Sequence, residues 1–351
     1  MPETPNERMP PGLIPQVDVA ALFDEREQGF LAVDRALARA AADPGFLLIR
    51  GLPARAVLGP AERARLKAIF QLTEPQKRRL YRRKFAPENA NRYRGWFALQ
   101  PGHVTAKEGI DLGGDIVHGA AITSTEDLLR EPTPLPPEES IPGWRAAMVE
   151  YYAAMEQVAL VLMRSLARSL GLESGFFDSC FHQGLSTLRL IRYPPRDAAE
   201  LATVTDGAVW TETSRGRRYL VGAEHTDSGF LTLLAQDGVA GLEARARDGR
   251  WIDVPPVEGT LVVNFGQVLE QWSGGRIRAT EHRVLGSLEE RYSIPFFLEA
   301  RAEALVAPLP IDPPDLFTPF RYGDFLWKRV TGFVEFRGML SERSAEPAEA
   351  P

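Results

Sequence analysis

His225-Thr226-Asp227, followed 55 positions after the aspartate by His282, is the set of residues in this chain best suited to hold a metal. In an extended segment successive side chains point to opposite sides, so His225 and Asp227 at i and i+2 face the same way and can reach one ion. The second histidine can come from any strand that folds alongside. Two imidazoles and one carboxylate occupy a single face of the ion and leave the other face open. That arrangement is associated with Fe(II) that activates oxygen beside an organic ligand. The chain has five histidines, His103, His118, His182, His225 and His282. A lone His-x-Asp can therefore also be an ordinary core or surface pairing.

Arg291-Tyr292-Ser293 begins nine residues after His282, in a stretch of strand character. Arg291 and Ser293 share a face, and a guanidinium fork beside a hydroxyl suits a carboxylate through charge-assisted hydrogen bonds. A carboxylate co-substrate moored there could extend its other end to the metal. The alternative for Arg291 is an ion pair with a structural acid. The two motifs explain each other better together than either does alone.

The elements that must position these groups are legible in outline. Ile14 to Leu22 reads as a strand passing into a turn, Phe30 to Ala40 as a helix, Phe46 to Arg50 as a strand, and Ala61 to Tyr81 as a second helical stretch. From Arg82 to Gly143 the periodicity fails and Gly and Pro cluster, which predicts a long binding loop or linker. A helix runs from Trp144 to Leu170, with an apolar residue every three or four positions and Gly171 as its stop. Beyond Gly184 come short strands between turns: Thr187 to Tyr193, Arg217 to Val221, Phe230 to Ala235, Trp251 to Val254, Thr260 to Phe265 and Arg291 to Leu298. Closely spaced strands without intervening helices imply an antiparallel sandwich or barrel, of which a double-sheet jelly roll is one form. A last helical segment is expected around Tyr322 to Phe333, before a frayed polar tail, Ser341 to Pro351.

Composition narrows the partners. The 351 residues are 44% hydrophobic, enough for a substantial core. The 41 basic and 47 acidic residues give a net charge of −6, which offers no electrostatic footprint for nucleic acid or an anionic membrane. A small-molecule partner is the better expectation. Cys180 is the single cysteine, so there is no internal disulfide framework or cysteine-rich zinc site, and a reducing, cytoplasmic compartment is the default. The first residues have no positively charged region followed by an apolar run, and no stretch of about 18 uncharged apolar residues is present. Oligomeric state stays open.

Three runs in order resemble the isopenicillin N synthase-like group of Fe(II)/2-oxoglutarate-dependent oxygenases. They are Gly222-Ala-Glu-His-Thr-Asp-Ser-Gly-Phe-Leu-Thr-Leu-Leu-Ala-Gln-Asp, the run Val263-Asn-Phe-Gly through to Thr-Glu-His-Arg-Val, and Arg291-Tyr-Ser-Ile-Pro-Phe-Phe. Further matches are Ile14-Pro-Gln-Val-Asp, Gly45-Phe-Leu-Leu-Ile, Tyr93-Arg-Gly-Trp-Phe, Lys107-Glu-Gly-Ile-Asp and Leu190-Ile-Arg-Tyr-Pro-Pro, so the resemblance spans about residues 13 to 335. It implies a mainly β fold, a double-stranded β-helix (jelly roll) core flanked by helices. The core would cover 184–300, preceded by an N-terminal region (1–143) and a scaffold helix (144–183) and followed by a C-terminal lid segment and tail (301–351). It also implies His225, Asp227 and His282 as iron ligands. Arg291 and Ser293 would hold the distal carboxylate of 2-oxoglutarate, with Tyr193 assisting. Arg94, Phe97 and Asp111 from the N-terminal region, with Phe230 and Phe297 as pocket walls, would be candidates for substrate contact, though each could equally be structural; Phe296 and Trp272 are further wall candidates that core packing would explain as well. Fe(II), 2-oxoglutarate and O2 would together oxidise a small organic substrate, with release of succinate and CO2. Retention of Asp227 departs from family halogenases, which have a small residue there. Hydroxylation, desaturation, epoxidation and ring closure all remain open, with substrates ranging from amino acids and peptides to alkaloids, flavonoids and other specialised metabolites.

Three rival readings carry their own marks. An iron oxidase of the isopenicillin N synthase type would keep the metal and dispense with 2-oxoglutarate; an Arg-x-Ser pair can hold another carboxylate, but the tail glutamine that can ligate iron there has no counterpart after Gln271. A zinc hydrolase would suit the same three ligands, yet it leaves Arg291 and Ser293 unexplained and no His-Glu-x-x-His motif is present. A catalytically silent jelly-roll binding module would have no reason to retain the triad and the carboxylate grip.

Overall fold

Alternation along the strands sorts the apolar residues onto two faces, and this sorting produces two layers of core. A computed structural model describes residues 13–24, 29–119, 128–213, 216–332 and 336. Four strands come from the N-terminal region: β1 (Gln16–Asp18), β2 (Phe46–Arg50), β3 (Gly95–Phe97) and β4 (Glu108–Gly113). Nine follow the long helix: β5 (Thr187–Tyr193), β6 (Trp210–Thr213), β7 (Gly216–His225), β8 (Leu231–Gln236), β9 (Leu242–Arg245), β10 (Trp251–Asp253), β11 (Leu261–Phe265), β12 (His282–Leu285) and β13 (Arg291–Leu298). They form an eight-stranded sheet in the order β1-β2-β11-β8-β13-β5-β4-β3, facing a five-stranded sheet in the order β10-β9-β12-β7-β6. Every pairing is antiparallel except β1 with β2. This is the expected jelly roll.

Phe46, Leu48, Ile191, Tyr193 and Val262 of the large sheet pack between the sheets against Val221, Leu242, Ala244 and Val284 of the small one. The intervening residues Leu47, Ile49, Leu188, Leu190, Ile294, Phe296 and Leu298 face outward into a second apolar layer under helices. The large-sheet strands are thus covered on both faces, and so they read as nearly continuous apolar runs. The helix Trp144–Ser169 supplies much of the outer cover. It is long and apolar enough, by length and composition alone, to cross a bilayer; here its buried stripe of Met148, Tyr152, Met155, Ala159, Leu162 and Leu166 lies in the outer core. It stops where expected: Gly171 adopts φ +77°, and the Leu172 amide donates back to the Ala167 carbonyl at 3.0 Å, which satisfies a carbonyl at the helix end.

Several expectations need correction. The region 82–143 is not one irregular loop, because β3 and β4 extend the large sheet from it. All six residues of β4 are buried although Glu108 and Asp111 are charged. Their charges are matched by arginines distant in sequence: Arg192 reaches Glu108 at 2.7 Å, while Arg82 and Arg189 both pair with Asp111. A pattern of polar residues therefore hid a buried strand. Ala61 to Tyr81 breaks into the helices Pro60–Lys67 and Glu74–Arg78 with a 3-10 turn between. Thr73 and Gln76 form a reciprocal cap at the second start, and Pro75 cannot continue a helix from upstream. Strands β6, β9 and β12 were not expected from the pattern. The final helix is Tyr322–Val330; residue 333 and the tail from 337 lie outside the described residues.

Candidate metal centre and its pocket

His225 is the last residue of β7 and His282 the first of β12, and the two are direct partners in the antiparallel register. Their rings lie 4.2 Å apart, centroid to centroid. Asp227 follows in the turn after β7, with its Oδ1 3.9 Å from His225 Nε2 and 3.7 Å from His282 Nε2. The three donor atoms lie within 4.8 Å of one another, and no other such group of three or more occurs among the described residues. An ion bonded at about 2.0–2.2 Å to imidazole nitrogen and carboxylate oxygen fits between them with small side-chain adjustments.

Outer contacts aim each ligand. Nδ1 of His225 lies 2.7 Å from the Ala223 carbonyl, and Nδ1 of His282 lies 3.1 Å from the Thr280 carbonyl. A carbonyl can only accept, so each Nδ1 carries the proton and each Nε2 turns a lone pair toward the site. Asp227 Oδ2 accepts from the Thr232 hydroxyl and the Asn264 amide, both at 2.7 Å, leaving Oδ1 for a metal. Burial would raise the Asp227 pKa, but the two imidazoles and these two hydrogen bonds outweigh it and hold the carboxyl below the usual range. Desolvation inside the cavity, reinforced by His282, pushes His225 down to about 4 although its side chain is 51% exposed, which favours a neutral imidazole at ordinary pH. Next to His282, Arg283 points to the opposite face. It bonds Glu243 at 2.7 Å and Glu224 at 3.0 Å, stacks 4.0 Å over Trp251, and so clamps β12 between its neighbours.

Deeper between the sheets, Arg291 is 2% exposed and donates from Nη2 to Gln236 Oε1 at 3.1 Å. Its Nε and Nη1 have no partner among the described residues. Burial lowers the Arg291 pKa, opposed by Tyr193, whose ring lies 5.2 Å from the guanidinium. Ser293 is equally buried on the same face of β13. A buried guanidinium without a counterion is costly; here it borders the metal-site cavity, and a carboxylate from a ligand would complete it. The structural-acid alternative for Arg291 is not met: no ion pair joins it to an acid among the described residues.

One cavity of about 600 Å³ contains both sites, a size suited to a small organic molecule. Among its lining residues are Tyr193, His225, Asp227, His282, Arg291 and Ser293, with Phe230, Phe297 and Asp111 from the substrate candidates. Phe97 and Arg94 do not line it. Phe97 is fully buried beneath the guanidinium groups of Arg82 and Arg189, and Arg94 is spent on the Leu185 carbonyl at 2.9 Å and on Thr187. Phe296 and Trp272 belong to the outer core.

The substrate end of the cavity is also lined by residues that no motif marks as site residues: Tyr93, Lys107, Arg189, Glu299 and, from the C-terminal segment, Leu326, Val330 and Phe336. Phe336 stacks on Tyr93 at 5.5 Å and lies 4.5 Å from the Arg82 guanidinium. Glu299 could have been found by extending the period-2 face of β13 by one step, through 291, 293, 295 and 297. Its carboxyl is pushed up to about 8, chiefly by burial and then by Asp227, against the pull of Arg94.

A jelly roll with this ligand face and an unpaired buried arginine behind it defines a class, the non-heme iron oxygenases that take a carboxylate co-substrate. Residues 186–300 match the model of the 2OG-Fe(II) oxygenase superfamily. "Gibberellin 20 oxidase 2" of Oryza sativa subsp. indica is 30% identical over 324 residues, which is 92% of this chain and 75% of that protein. The chain therefore belongs to the 2OG-Fe(II) oxygenase superfamily. The "2-oxoglutarate-Fe(II) type oxidoreductase hxnY" of Emericella nidulans is 37% identical over 171 residues, covering 48% of this chain and only 44% of the relative. In fold, the chain is similar to a 2OG-Fe(II) oxygenase family protein from Caulobacter crescentus, with a TM-score of 0.70, 24% identity and coverage of 91% of this chain and 98% of that one.

Proposed function

We propose that this chain couples the oxidative decarboxylation of 2-oxoglutarate to the oxidation of a small organic substrate in specialised metabolism. The observation that carries this reading is the unpaired Arg291, 2% exposed and bordering the same cavity as the metal ligands. His225, Asp227 and His282 would hold Fe(II). Arg291 and Ser293 would bind the distal carboxylate of 2-oxoglutarate, with Tyr193 covering the guanidinium.

Bound iron and 2-oxoglutarate supply the oxidising chemistry when O2 enters. The residues of the chain do the positioning. Thr232 and Asn264 fix Asp227, the Ala223 and Thr280 carbonyls fix the imidazoles, and the apolar inter-sheet residues exclude water around the co-substrate. Asp111, Phe230 and Phe297 are assigned to the substrate end of the cavity; Phe97 and Arg94 are assigned as support behind it. The domain division follows the same logic: 184–300 carries the site, 1–143 and 301–351 shape the substrate end, and the helix in 144–183 backs the large sheet. A single cysteine supports a reducing, cytoplasmic setting.

The test is succinate release. The purified chain with Fe(II), ascorbate and 2-oxoglutarate should form succinate, and a substrate should stimulate it with one succinate per oxidised product. Full turnover of a substrate without 2-oxoglutarate would instead assign the chain to the co-substrate-independent oxidases.

A further inference from the structure

Strand β13 presents Arg291, Ser293, Pro295 and Phe297 to the cavity, and the next residue in that alternation is Glu299, which also lines it. An extended chain advances about 3.4 Å per residue, so Glu299 lies about 27 Å along the strand from Arg291. One face of one strand thus runs from the proposed co-substrate grip at one end to a carboxyl at the other.

Three observations separate Glu299 from a structural acid. It is 9% exposed, and its Oε2 has no hydrogen-bond partner among the described residues. Arg94, the cation that acts on it, is already bonded to Leu185 and Thr187. The carboxyl also occupies space left by a missing side chain: a Cβ at Gly229 would lie 2.6 and 2.7 Å from its two oxygens. Gly229 stands two residues from Asp227, so the acid is seated against the turn that carries a metal ligand.

The chamber disfavours a cationic substrate even though Asp111 pairs with Arg82 and Arg189, since those two arginines, Lys107 at the wall and Arg94 behind it outnumber that carboxylate. Its walls of Tyr93, Phe297 and Phe336 suit a flat ring. A carboxylic acid offers a donor and an acceptor side by side, which is the complement of an amide edge.

We propose that Glu299 is a substrate-binding residue whose carboxyl group hydrogen-bonds an uncharged amide or lactam edge of the primary substrate. This assignment rests on the oxygenase reading above and deepens it.

The full chain is loaded with Zn(II) as a redox-silent stand-in and titrated, with and without 2-oxoglutarate, with isoquinolin-1(2H)-one. Its matched amine, 1,2,3,4-tetrahydroisoquinoline, serves as comparison, and saturation-transfer NMR is the readout. Wild type should bind the lactam in preference to the amine. Glu299→Gln, which keeps a donor beside an acceptor, should stay within about threefold of wild type; Glu299→Leu should weaken the lactam about tenfold or more. All three proteins should bind 2-oxoglutarate alike by calorimetry, which also shows the variants folded. Equal lactam affinity in Glu299→Leu and wild type, no lactam binding by wild type, or preferred amine binding that Glu299→Gln abolishes would each overturn the assignment. A wild-type chain that does not bind 2-oxoglutarate overturns the function proposed above, while the titrations without it still decide the role of Glu299.

Discussion

His225 and His282 face each other across a strand pair whose register is irregular: His282 pairs with His225, Val284 with Gly222 and Leu285 with Leu220. β7 therefore carries extra residues relative to β12, and such bulges re-aim side chains near sites. The direct pairing sets two imidazoles that are 57 positions apart in sequence side by side. Replacing either His225 or Asp227 by Ala should abolish stoichiometric Fe(II) binding and turnover and leave a folded chain. Metal analysis with circular dichroism checks this, and normal iron content in either variant would refute the site.

The Asp227 carboxylate depends on Thr232 and Asn264 for its orientation. Asn264→Ala and Thr232→Val should each weaken metal affinity about 10- to 100-fold, as loss of an outer contact does at metal sites. Calorimetry with Mn(II) measures it; an effect below twofold in both variants would mean the carboxylate is held by other means.

Arg291→Ala should raise the 2-oxoglutarate dissociation constant about 10- to 100-fold, the range expected for losing charge-assisted hydrogen bonds. Arg291→Lys should recover only part of that loss, because an ammonium cannot reproduce the fork. An unchanged affinity in the Ala variant would contradict the grip.

Acidification should destabilise the metal-free chain through His225. Its folded pKa of about 4 lies below the unfolded value near 6.5. Between those values the unfolded state binds more protons, so stability falls as the pH drops from 6.5 toward 4. Urea denaturation of His225→Asn should show a shallower decline than wild type over this window, and parallel curves would rule the imidazole out as the cause.

Asp111 is 3% exposed and shared by Arg82 and Arg189. Asp111→Asn should destabilise the chain by about 3 kcal/mol, because it removes the carboxylate shared by the buried Arg82 and the partly buried Arg189. Thermal unfolding measures this, and a loss below about 1 kcal/mol would show that the arginines find other partners.

The sequence by itself determined the chemistry that is local or periodic. His225 and Asp227 share a face because strand side chains alternate, Arg291 and Ser293 do so for the same reason, and the 3.6-residue stripe from Met148 to Leu166 with Gly171 behind it marks the long helix. The resemblance of ordered motifs added His282 and the jelly roll. Tertiary structure alone decided what depends on partners distant in the chain. Glu108 and Asp111 read as loop residues until arginines from elsewhere matched their charges and made β4 a buried strand. His282 begins a four-residue strand whose register is set by β7 and β9, not by its own pattern. Arg94 and Asp111 looked alike as substrate candidates, yet only Asp111 reaches the cavity. The alternation of β13 places Glu299 on the face of Arg291 and Ser293, but only the tertiary structure shows it buried, seated in the space left at Gly229 and with an Oε2 that has no hydrogen-bond partner among the described residues. Alternation and helical period are encoded by neighbours in sequence, whereas desolvation and charge pairing are set by neighbours in space.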